Sequence, residues 1–136
     1  MTFSIVNPAS LGEPKGWNHG LLAESGGRVL FVAGMTATDA SGRVAPADFV
    51  TQFDRALANV VTVVREAGGE PSDIGRLTIF VTDMSAYRTS LKPLGAAYRA
   101  HMGRHFPAVA LVAVSELVDE NAVVEIEATA VLSKTR

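Results

Sequence analysis

Near its carboxyl end the sequence reads Val123-Val124-Glu125-Ile126-Glu127-Ala128. The alternation predicts a strand on which Glu125 and Glu127, two positions apart, project from one face with Cα atoms roughly 7 Å apart. Two such carboxylates suit acid–base work, because a carboxyl group drawn partly out of water resists ionisation and can serve as a general base toward water. A polar, solvent-facing edge strand has the same pattern. His101 and His105 stand four apart and raise a metal site, but there is no H-E-x-x-H pattern, no cysteine and no third ligand beyond the glutamates. Helix-end histidines that cap the last carbonyls fit the spacing better. Ser10 and Ser115 lack a G-x-S-x-G setting. Gly34 belongs to no phosphate-cradling pattern. The residues therefore imply no metal, no nucleotide and no other cofactor. Trp17, the single tryptophan, lies in Lys15-Gly16-Trp17-Asn18-His19-Gly20 and suits a core plug or the aromatic wall of a pocket. Arg104 and His105 suit the carbonyl end of a helix or the recognition of an anion.

The elements that must position these residues follow from periodicity. Runs at 21–25 and 28–33 flank Gly26-Gly27, which predicts a β-hairpin. A small, polar loop at 36–42 leads to Pro46 and Asp48. Phe49, Phe53, Leu57, Val60, Val61 and Val64 then recur at helical spacing until Gly68-Gly69 stops the helix. The run 77–82 is β-branched and aromatic and predicts a central strand. Ser85 is the expected cap of a second helical segment carrying Tyr87, Leu91, Leu94, Tyr98 and Met102. Pro93 within it sets the start of the regular helix close by. Two strands, 108–114 and 122–132, complete the chain. No repeat, low-complexity tract or linker interrupts it.

At 136 residues with 48% hydrophobic content, one domain spanning 1–136 with a real core is expected. The net charge of −2 and the lack of any Lys/Arg run give nothing to attract nucleic acid or an anionic membrane. Met1 to Val6 carries no basic or apolar leader pattern, and no apolar run approaches the roughly 20 residues of a membrane span. A cytoplasmic protein is the simplest expectation. Strand 108–114 is apolar on both faces, with Val109, Leu111 and Ala113 on one and Ala110, Val112 and Val114 on the other. Burial on both sides is expected, and self-association would supply it in a sheet with helices on only one face.

Several stretches together resemble the reactive intermediate deaminase (Rid, or YjgF) family. They are Gly16-Trp17-Asn18-His19-Gly20, Leu30-Phe31-Val32-Ala33-Gly34-Met35, Gln52-Phe53-Asp54-Arg55-Ala56-Leu57-Ala58-Asn59-Val60, and Arg65-Glu66-Ala67-Gly68-Gly69. Ile79-Phe80-Val81-Thr82-Asp83-Met84, Phe106-Pro107-Ala108 and Val124-Glu125-Ile126-Glu127-Ala128 complete the series. The resemblance implies a chorismate-mutase-like α+β fold, one mixed sheet with two helices on one face, assembled as a homotrimer with small-molecule clefts between subunits. It also implies hydrolysis of reactive enamines or imines, with Glu125 positioning or activating water, Gly34 letting backbone approach the ligand, and Trp17 lining the cleft. Ala108 and Val109 fall in the substrate-binding stretch. In deaminating members the residue after Phe-Pro-Ala is an arginine that pairs with the substrate carboxylate. Here it is Val109, which offers neither charge nor a bidentate contact. Gly95 falls where many deaminases carry a polar residue. Two readings follow: a hydrolase with a less anionic or bulkier substrate, Arg104 or His105 replacing the cation, or a non-catalytic trimeric small-molecule-binding or regulatory protein on the same scaffold.

Overall fold

The structure, a computed structural model, describes residues 3–134. Helix α1 (Phe49–Glu66) begins where the Asp48 carboxylate accepts the Thr51 N–H at 2.8 Å. It ends where Gly68 takes a positive φ of 89°. Its apolar stripe, including Phe53, Leu57, Val60 and Val64, is buried against the sheet. That sheet has four strands in the order β3-β6-β4-β5: β3 (Arg28–Met35), β4 (Ile74–Val81), β5 (Ala108–Ala113) and β6 (Val124–Leu132). Strand β6 runs antiparallel to both neighbours, and β4 and β5 are parallel. The parallel pair is joined by α2 (Met84–Arg88) and α3 (Leu91–Met102), as a crossover requires. The fold is α+β, as expected.

Strict alternation divides β6 into two faces. Val124, Ile126, Ala128, Ala130 and Leu132 are buried toward the helices, while Glu125, Glu127, Thr129 and Val131 lie on the other face. Among the described residues no helix covers this second face. A two-stranded ribbon of β1 (Phe3–Val6) and β2 (Gly20–Ala23) reaches one corner, where Phe3 packs on Gly75. The rest stays open, and Phe31 on β3 is 80% exposed.

The structure corrects two expectations. Strand β2 pairs with β1, and β3 pairs with β6, so the runs around Gly26-Gly27 form no hairpin. Gly26 makes the turn with φ 85°, while a Cβ on Gly27 would lie 2.5 Å from Val131 Cγ1. The glycines thus serve a tight crossing over β6 and a change of sheet. The second helical segment is broken, and Asp83, not Ser85, caps its first piece by accepting the Ala86 N–H. Pro93 does fall in the first turn of the regular helix α3. Strands β5 and β6 are not neighbours, because β4 lies between them. Within one chain β5 is an edge strand and Val112 is 43% exposed, so the two-sided burial expected of it would have to come from self-association.

Candidate functional site

The Glu125 side chain lies across the backbone of Gly34. A Cβ placed on Gly34 would come within 2.8 Å of both Cδ and Oε2 of Glu125, so only glycine leaves the gap the carboxylate fills. The gap comes from a β-bulge. Val32 is opposite Ala128 but Met35 is opposite Ile126, which leaves Ala33 and Gly34 to face one residue of β6. Glu125 is half-buried and Glu127 exposed, so the two carboxylates sit in different surroundings. Phe80 and Thr78 stand beside them on β4. Among the described residues Glu125 has no hydrogen-bond or ion-pair partner.

Trp17 and Val109 meet elsewhere. They line a pocket of about 590 Å³ on the helix-bearing side of the sheet, walled also by Leu94, Tyr98, Phe106 and Leu111. Asn18 fixes the segment that carries Trp17: its Nδ2 donates to the Phe106 carbonyl at 2.5 Å and its N–H to the Pro107 carbonyl at 3.1 Å. Asn7 in turn donates to Asn18 Oδ1 at 2.8 Å and accepts the His19 N–H at 2.7 Å. The His19 ring meets Trp17 edge-on at 4.8 Å. Tyr98 stacks on Phe106 with centroids 5.6 Å apart and donates its hydroxyl to the His105 carbonyl at 2.5 Å. Burial holds the Tyr98 phenol far above its ordinary value, so it remains a neutral donor.

The five residues singled out in the sequence therefore fall in three places within one chain. Glu125 and Gly34 touch on the open face. Trp17 and Val109 share the pocket on the opposite face, and Ala108, one position before Val109, points the other way into the recess under the β1–β2 ribbon. Neither cation expected to replace the missing arginine lines the Trp17 pocket. His105 Nε2 lies 2.6 Å from the Ile74 carbonyl and its ring stacks on Phe3, while Arg104 is exposed beyond the end of α3. His101 meets Asp54 of α1 at 2.8 Å, a tie between helices. Among the described residues no group of three His, Cys, Asp or Glu could hold a metal ion, and no helix is long and apolar enough to cross a membrane.

Sequence reasoning missed Arg99, which does line the pocket, and Gln52. Arg99 stands four residues after Gly95 on α3, a spacing visible in the sequence. Gln52 is fully buried. Its Nε2 donates to the Asn121 carbonyl at 2.8 Å, and its Oε1 accepts the Val123 N–H at 2.9 Å, two residues before Glu125. A polar residue inside an apolar helical stripe was the available signal.

Residues 13–132 match the family model described as Endoribonuclease L-PSP. The chain is 32% identical over 108 residues to the 2-iminobutanoate/2-iminopropanoate deaminase of Escherichia coli strain K12, covering 77% of this chain and 80% of that protein. Its fold superposes with a TM-score of 0.85 on the Rid-family protein YyfB of Yersinia pestis, of unknown function, at 31% identity over 97% of this chain and all of that one. E. coli TdcF, solved with bound serine, gives a TM-score of 0.68 at 28% identity over 90% of this chain and 92% of that one. With the family match running from ahead of Trp17 to the end of β6, the chain belongs to the Endoribonuclease L-PSP family, the YjgF or Rid proteins.

Proposed function

We propose that residues 1–136 act as one cytoplasmic Rid-type domain that assembles as a homotrimer and hydrolyses a reactive imine or enamine in clefts between subunits, with Glu125 activating water. The observation that carries this reading is the Glu125 carboxylate, half-buried over Gly34 and without a protein partner among the described residues. A carboxylate so held is free to take a proton from water. The name of the E. coli relative supports an imine as the electrophile.

The division of the site between two faces supports assembly. A substrate held against Trp17 and Val109 cannot touch Glu125 of the same chain through the sheet, but it can touch Glu125 of a neighbour. Contact between two different patches is heterologous, and such contacts close into rings. The exposed Val29, Phe31 and Val112 supply apolar area for it. In the reaction, Glu125 accepts a proton as the water oxygen bonds to the imine carbon, and the C=N π pair moves to nitrogen. Glu125 returns that proton to nitrogen; the carbinolamine then passes its hydroxyl proton through Glu125 to the amine as the C=O bond forms and the C–N bond breaks, and ketone and ammonia leave.

Ammonia release from freshly generated 2-aminoacrylate and from a bulkier imine tests the reading. Wild type should accelerate the bulkier imine, and Glu125→Gln should lose about 100-fold or more of that rate, the usual weight of a general base. Val109→Arg should shift preference toward 2-aminoacrylate. No acceleration by wild type on either substrate would favour the second reading, a binding or regulatory trimer, for which Val109 in place of arginine is the supporting observation. The family's descriptive name raises RNA cleavage. A net charge of −2 without a basic run argues against that substrate.

A further inference from the structure

The Trp17 pocket holds about 590 Å³ behind mostly apolar and aromatic walls, and the charged residues that line it, Lys15 and Arg99, are both cations. Among the described residues neither has an ion-pair partner. No carboxylate lines the pocket. Gly95 sits inside α3, where glycine costs roughly 1 kcal/mol relative to alanine. The structure gives it a use: a Cβ at Gly95 would lie 3.1 Å from Arg99 Nη1, so the guanidinium folds back across the helix surface over the glycine. Both side chains are exposed, but Lys15 sits on a segment without helix or strand between Gly12 and Gly16, both at positive φ. A guanidinium laid over a helix presents a planar fork to a carboxylate, whereas a lysine offers a point charge on a flexible stem.

We propose that Arg99, seated over Gly95, is the anion-recognising residue of this pocket, and that the pocket takes a 2-imino or 2-keto acid with a bulky apolar side chain. The imine form rests on the hydrolase reading above; the recognition of the acid does not. Val109 and Leu111 then contact the substrate's side chain, and the carboxylate turns toward α3 instead of toward β5. This exchanges a short acid for one with a longer, apolar side chain and leaves the demand for one cation unchanged.

Trp17 emission reports binding directly, with no turnover required. The experiment titrates 4-methyl-2-oxopentanoate, pyruvate and the uncharged 4-methyl-2-pentanone into wild type, Arg99→Met, Arg99→Lys, Lys15→Met and Gly95→Ala. Arg99→Met should weaken the branched keto acid by about tenfold or more, the weight of one charge-assisted contact. It should leave the ketone unchanged, which controls for an intact pocket. Arg99→Lys should recover part of the affinity, Gly95→Ala should weaken the acid, and pyruvate should bind wild type more weakly than the branched acid. Unchanged acid affinity in Arg99→Met, an equal loss for acid and ketone, or a larger effect of Lys15→Met overturns the assignment. Binding that depends on Arg99 in a protein that hydrolyses no imine removes the hydrolase and keeps this assignment. Imine hydrolysis indifferent to Arg99→Met does the reverse.

Discussion

Gly34 and Glu125 form a pair in which the absence of one side chain fixes the place of the other. Gly34→Ala would put a methyl group 2.8 Å from the Glu125 carboxyl carbon, and the carboxylate would have to swing away. The rate constant of imine hydrolysis should fall by up to about 100-fold, as misplacing a reacting group does, while keto acid binding in the Trp17 pocket is unchanged. Rapid-mix ammonia assays and the Trp17 titration read the two effects separately. At this scale Glu125 stood out between aliphatic neighbours and Trp17 beside Gly16; the structure seats the first over Gly34 and the second on the wall of a pocket. What the sequence withheld was side: Ala108 and Val109 are adjacent yet open on different recesses. Arg99 was passed over because its seat on the pocket wall depends on the missing Cβ of Gly95, one helical turn away.

Helix α1 does more than cover the sheet. Gln52 reaches the segment ahead of β6, and Asn59 Nδ2 donates to the carbonyls of Thr36 and Thr38 at 2.9 and 3.2 Å, holding the loop that leaves β3. The helix thereby clamps the chain just before Glu125 and just after Gly34. Gln52→Leu would strand the Val123 N–H and the Asn121 carbonyl in the interior, at a cost of about 2 kcal/mol or more. Urea unfolding should show this as a lower midpoint with an unchanged slope. The helix itself was legible from its apolar period, its Asp48 start and its Gly68-Gly69 end. The hairpin was misread because a Gly-Gly turn specifies a reversal but not the strand that receives it. Strand order was equally hidden, since the insertion of β4 between β5 and β6 depends on contacts distant in sequence.

For the whole molecule, the open face is the decisive surface. It carries Phe31, 80% exposed, beside Val29 and the two glutamates, on a sheet whose other side packs on the helices. Light scattering at micromolar concentration should return three times the mass of one chain. Phe31→Glu should lower that mass and abolish hydrolysis together, because each cleft needs two chains; a monomeric wild type would sink the shared-cleft reading. An apolar edge strand at 108–114 hinted at this surface, although the chain alone leaves it uncovered.

The bulge at Ala33-Gly34 also makes the length of β3 matter as much as its composition. Alternation along a strand works as a parity code, and the extra residue there is a single shift of phase. Deleting either residue would restore strict parity while keeping Met35 opposite Ile126, and would alter no acidic or aromatic group in the protein. It would also close the gap in which the carboxylate rests. The location of the Glu125 carboxylate is in this sense written in the count of residues as well as in their identity.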